Sequence, residues 1–129
     1  MTPSAMFRVA LSGAALVLAA TAVAATPERS TEAFYREAVA LRDKGAMAIF
    51  SSRLKPVMQE GQAAGVSARD QRRAAVARGE RPSYCPPAKG ALDSDEMLGL
   101  LGRIPANERD RLPLSQGMAR AFAMKWPCK

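Results

Sequence analysis

Residues 93–128 read DSDEMLGLLGRIPANERDRLPLSQGMARAFAMKWPC, two apolar stripes of helical period separated by prolines and ending on a cysteine. Asp93 and Glu96 form an Asp-x-x-Glu capping box, and Met97, Leu100, Leu101 and Ile104 then recur with helical spacing, so a buried helix is expected up to Pro105. Ala106 to Leu112 reads as a polar crossing. Beyond Pro113, Ser115 is a suitable cap for a last helix that buries Met118, Ala121, Phe122 and Trp126, and Pro127 breaks that helix just before Cys128.

Upstream of this stretch, helical periodicity continues. Phe34, Ala38 and Leu41 stand at i, i+4 and i+7, with Glu32 placed four residues before Arg36 as a helical ion pair would have it. Gly45 is the weak point of that first helix. Met47, Phe50, Leu54 and Met58 then suggest a second apolar face, bent or restarted at Pro56, with Lys55 pushed out of helical geometry. Gly61 and Gly65 are read as its end rather than as a packing motif. Ser67 can cap a third helix that reaches Arg78, with Gly79 as its left-handed terminal residue. Met47, Met58, Met97, Met118 and Met124 follow these helical patterns and are read as core rather than as soft metal ligands. No strand pattern competes. The fold class expected is all-α, a small single-domain bundle of four to five short helices with one disulfide.

The first 25 residues bear on that disulfide. Met1 to Arg8 carries one positive charge, Val9 to Ala22 is almost wholly apolar, and Ala22-Val23-Ala24 or Val23-Ala24-Ala25 supplies small residues for cleavage. This is the tripartite pattern of a secretory signal peptide over residues 1–25, followed by a helical domain over 26–129 with no transmembrane segment of its own. A periplasmic location is the expectation, and no cysteine follows the apolar run to take a lipid. In an oxidising compartment the only two cysteines, Cys85 and Cys128, should pair. Closing the loop of about 43 residues should stabilise the fold by roughly 3–5 kcal/mol.

The remaining segment, about 104 residues, is the size of one small domain. Losing Arg8 leaves 18 basic against 12 acidic side chains, a net charge of +6. That balance favours anionic partners, while export makes nucleic acid an improbable one. The chain has no histidine, the usual metal ligand and neutral-pH base. A catalytic thiol would lack its activating base, and the cysteine spacing excludes a Cys-x-x-Cys redox pair or a convincing zinc site. Phosphate-binding glycine loops and Gly-x-Ser-x-Gly are absent. Ser51, Ser52 and Lys55 would need a buried lysine and an oxyanion hole to act together. No catalytic residue, cofactor or metal is assigned.

Two places read as contact sites for a protein partner. Arg69, Arg72 and Arg73 lie at i, i+3 and i+4, either a solvated face or a docking stripe for an acidic partner. The stretch from Glu80 to Gly90, stiffened by prolines at 82, 86 and 87, offers Tyr84, Pro86 and Pro87 as contacts, unless it is purely a structural loop. Self-association as a homodimer stays open.

Tyr84-Cys85-Pro86-Pro87, the capped helix beginning near Ser94, the Ile104-Pro105 stop and the Trp126-Pro127-Cys128 ending together resemble the Tai-type immunity family over roughly Tyr84 to Cys128. Its members are small exported all-α proteins, and characterised ones neutralise peptidoglycan amidase effectors delivered by type VI secretion systems. Members often carry a further cysteine in the earlier helices; none stands there in this chain, leaving its first half to packing alone. The resemblance implies a non-enzymatic protein that waits in the periplasm, binds a cell-wall amidase and occludes its cleft. The alternative is a periplasmic stress or chaperone-like protein resembling the small acid chaperone HdeA, also helical and held by one disulfide. A basic chain without histidine is poorly equipped for such an acid switch. A wall-active hydrolase is the third reading and has no catalytic constellation behind it.

Overall fold

The structure is a computed structural model that describes residues 27–129; the expected leader lies outside them. The described residues form five α-helices and one 3-10 segment, with no strand: α1 (Thr31–Asp43), the 3-10 segment Gly45–Phe50, α2 (Leu54–Ala77), α3 (Ser94–Gly102), α4 (Ala106–Arg111) and α5 (Leu114–Lys125). The all-α class expected from periodicity is the one observed. Cys85 and Cys128 are bonded, their Cα atoms 5.0 Å apart.

Helix α1 begins where Ser30 accepts a hydrogen bond from the Ala33 amide, and it buries Phe34, Ala38 and Leu41 as their spacing requires. Its Glu32 does not pair with Arg36. The carboxylate turns to the Arg109 guanidinium of α4, 2.5 Å away, because that cation is buried and has no other carboxylate partner. Gly45 takes a positive φ of 56° and releases the chain into the 3-10 segment.

Here the expected second face fails. Met47, Phe50 and Met58 point outward and Ala48 is the segment's only buried residue, while Val57 rather than Met58 enters the core. A 3-10 turn advances the side chains by three per turn instead of 3.6, so the stripe counted through Gly45 to Met58 never forms. Met97 and Met124 pack partly buried against the core, and Met118 lies within it. Leu98, not Met97, joins Leu100, Leu101 and Ile104 as a buried residue.

From Leu54 the chain runs 24 residues as one helix. Pro56 is its third residue, where an amide would have no acceptor within the helix, so it neither bends nor restarts α2 and Lys55 is helical. Gly61 and Gly65 do not end it. A Cβ on Gly61 would sit 3.1 Å from Phe34 Cζ and one on Gly65 would stand 3.9 Å from Phe122 Cζ, so the two glycines seat the rings of α1 and α5. The packing gained outweighs a helix-propensity cost of about 1 kcal/mol per glycine. Ser67 is therefore interior, not a cap. The helix stops at Gly79 (φ 75°), with Gly79 N–H donating to Val76 O and Glu80 N–H to Ala75 O, the two bonds of a Schellman terminus.

Asp93 caps α3 by accepting from the Glu96 amide at 2.8 Å, but the reciprocal half of the box is missing because the Glu96 carboxylate binds Lys125 of α5. The polar crossing proves to be α4. Pro105, fixed at φ −55°, presents its carbonyl to the amides of Glu108 and Arg109 and starts a short helix. Ser115 is the second residue of α5 and buried, so it does not cap that helix by its side chain. The segment before α1 does so: the Ser115 amide donates to Glu28 Oε2 at 2.7 Å and the Leu114 amide to Arg29 O at 3.1 Å. Sequence patterns between neighbours carry no sign of a cap 87 residues away.

The same seam is closed by Thr31, fully buried, whose hydroxyl donates to Leu112 O at 2.9 Å. A Cβ on Gly117 would fall 2.2 Å from Thr31 Oγ1. Thr31 is pinned by its own amide and hydroxyl and cannot give way. Gly117→Ala should therefore destabilise by about 1–3 kcal/mol despite alanine's better helix propensity, as read from urea unfolding. A more stable variant would show that this contact is loose.

Candidate interaction surface

The disulfide joins the 80–90 loop to the end of α5, and the residues around it form an aromatic wedge. Tyr84 is 1% exposed. Its ring lies 5.1 Å from that of Phe122, which in turn lies 5.9 Å from Trp126. The Cys85 amide donates to Trp126 O at 2.9 Å, so backbone and disulfide fix the same junction. Burial pushes the Tyr84 phenol above its ordinary range, against the opposing pull of the Arg72, Arg69 and Arg73 charges. Tyr84 cannot be the partner contact expected from sequence. An aromatic side chain in a proline loop looks available, but here the disulfide turns it inward onto Phe122. Pro86 is half-buried and Pro87 is exposed.

The three arginines separate into two roles. Arg72 donates from Nε to Tyr84 O at 2.7 Å and lies 5.5 Å over the Tyr84 ring, which makes it a clamp between α2 and the loop rather than a free docking residue. Arg69 and Arg73 remain exposed. Arg73 has only a loose 3.6 Å pairing with Asp70, both side chains well solvated. Val66 and Val76, about half exposed, fall at i−3 from Arg69 and i+3 from Arg73. Val66, Arg69, Arg73 and Val76 thus form one stripe along the outer flank of α2. Its backbone is held below by Gly65 and Ala68 in the core.

Sequence reasoning missed the buried cation. Arg109 lies between α1 and α3, donating to Glu32 and, from Nη1, to Ile104 O at 2.6 Å, with its guanidinium 4.2 Å over the Tyr35 ring. An alternation of charges such as ERDR gives no hint of which arginine is covered.

A second ionic cluster joins the segment before α1 to α1 and α2. Glu37 accepts from Arg53 at 2.6 Å and from Arg29 at 2.5 Å, and Arg29 also grips Glu60. The hydrogen bonds from Arg53 and then Arg29 hold the Glu37 carboxyl at about 2, far below its ordinary 4.5. A depressed carboxyl stabilises the fold above its unfolded value and loses that contribution as pH falls toward the folded one. This cluster should thus be intact at pH 5 and weaken only between about 4.5 and 2. Thermal melts of Glu37→Gln and wild type should differ at pH 6 and converge near pH 2. A difference that vanished already at pH 5 would contradict the assignment.

One shallow depression of about 330 Å³ runs between Ser83 and the Gln116–Arg120 side of α5, and another of about 170 Å³ lies beside Glu28 and Glu60. Among the described residues no three acidic, cysteine or histidine side chains gather as a metal site, and no helix is long and apolar enough to cross a membrane. Comparison with known protein families, with curated proteins and with solved structures finds no match for this chain.

Proposed function

We propose that the chain is an exported, non-enzymatic binding protein that meets an acidic face of a protein partner through the outer flank of α2. The observation that carries this reading is the exposed Val66, Arg69, Arg73, Val76 stripe on a helix whose other side is locked into the core and whose C-terminal half is clamped by Arg72 to the disulfide loop. Such a surface is rigid before binding, which limits the ordering cost of association. Its two exposed cations steer encounter, and the valines on either side of them supply apolar contact. In the immunity reading, the partner is a peptidoglycan amidase effector of a type VI secretion system, and the chain occludes its cleft without doing chemistry. The aromatic-Cys-Pro and Trp-Pro-Cys flanks of the disulfide support that reading by resemblance. The acid-chaperone alternative has less support, because the chain is basic and has no histidine.

The test is Arg69→Glu with Arg73→Glu, leaving Arg72 in place so that the fold is untouched. Affinity for the amidase effector should fall by about tenfold or more, mostly through slower association, and the wild-type salt dependence should flatten. Unchanged association would remove the stripe from the interface.

A further inference from the structure

A separate surface stands at the other end of α2, about 22 Å along the helix axis from Arg69. Met47, Ile49 and Phe50 of the 3-10 segment are 64%, 70% and 77% exposed, and Met58, one turn into α2, is 53% exposed. Three large exposed apolar side chains thus stand within four residues just before α2, on a segment whose only buried residue is Ala48, and Met58 adds a fourth on the first turns of α2. Solvent-exposed apolar clusters of this kind have a partner in most proteins that keep them.

The charges around the tip narrow the choice of partner. Arg42 and Lys44 precede it, Arg53 and Lys55 follow it, and Asp43 is the one acid between residues 42 and 55. Arg42 is paired with Asp43 at 3.6 Å and Arg53 with Glu37 at 2.6 Å. Lys44 and Lys55 have no ion pair among the described residues, so two free ammonium groups bracket the apolar tip. A second copy would bring the same cations against themselves. A folded protein would need a matching pocket, and four side chains alone cover less than the roughly 800 Å² per partner of a stable interface. A fluid bilayer needs no matching shape and accepts protruding apolar side chains below flanking lysines.

We propose that the tip of Met47, Ile49, Phe50 and Met58, with Lys44 and Lys55, docks the protein reversibly on an anionic phospholipid surface. The apolar side chains enter the boundary between headgroups and acyl chains, and the two lysines reach lipid phosphates. This proposal is independent of the α2 flank, since Arg69 and Arg73 take no part in it.

The test is co-sedimentation of the chain recovered from periplasmic extract with vesicles of phosphatidylethanolamine and roughly one third phosphatidylglycerol, compared with phosphatidylcholine alone. Wild type should bind the anionic vesicles at low salt and the neutral ones weakly. Ile49→Glu with Phe50→Glu should lower partitioning by about tenfold or more, and Lys44→Gln with Lys55→Gln several-fold, with loss of salt dependence. Both pairs are exposed, and circular dichroism should show an unchanged fold. Phe50→Trp should shift its emission to the blue on the anionic vesicles. Equal sedimentation of wild type and the Ile49/Phe50 variant would overturn the proposal. So would a wild-type oligomer on size exclusion that this variant dissociates, since the tip would then belong to a second copy.

Discussion

Arg109→Ala should lower the unfolding free energy by about 3–5 kcal/mol, enough to leave little folded protein at 37 °C. The guanidinium is 9% exposed and serves three elements at once. Its Nε holds Glu32 of α1 at 2.5 Å, while Nη1 donates to Leu101 O and Gly102 O at 3.3 Å and to Ile104 O at 2.6 Å. Leu101 O also accepts from the Ile104 amide, but Gly102 O and Ile104 O lie past the end of the helical ladder, so removing the donor leaves these acceptors and a carboxylate without their partner together. Tyr35, packed on the guanidinium face, loses its support as well. Arg109→Lys keeps the charge but not the fork, and should recover only part of the loss. Urea unfolding measures both. A cost below about 1 kcal/mol for the alanine variant would mean that the cluster is solvated and ordinary.

Cys85→Ser, Cys128→Ser or both should lower the melting temperature by roughly 10–30 °C, the range implied by about 3–5 kcal/mol in a domain of this size. The bond closes a loop with a sequence separation of 43 that contains α3, α4 and α5, so its loss frees most of the C-terminal half in the unfolded chain. In the folded state the junction keeps the Cys85–Trp126 backbone bond, the Arg72–Tyr84 clamp and the Tyr84–Phe122 ring contact. The reduced protein should therefore retain its helices at low temperature while melting earlier. Calorimetry of wild type with and without reductant should reproduce the difference. An unchanged melting temperature under full reduction would show that the aromatic wedge alone secures the loop.

What could be read from residues alone were the features set by near neighbours. The Phe34, Ala38, Leu41 stripe, the Asp93 cap, the Gly79 terminus and the pairing of two cysteines each depend on local spacing or on there being one possible partner. What escaped were features set by distant groups. Gly61 and Gly65 look like breakers until Phe34 and Phe122 are seen lying on them, and Ser115 looks like a cap until Glu28 takes its amide. The candidate site divides in the same way. Arg69 and Arg73 are exposed as the helical count suggested, but Arg72 and Tyr84 were drawn into the body by each other. Met47, Phe50 and Met58 were mistaken for core because a 3-10 segment and an α-helix place the same residues in different phase.

On the proposed immunity reading, inhibition of a type VI peptidoglycan amidase effector is the decisive assay. Adding the wild-type chain to that effector should abolish cleavage of purified peptidoglycan at a one-to-one ratio, with Arg69→Glu, Arg73→Glu shifting the titration by about tenfold or more. Full amidase activity in a several-fold excess of wild-type chain would contradict the immunity reading, and release of wall fragments by the chain alone would contradict a non-enzymatic role.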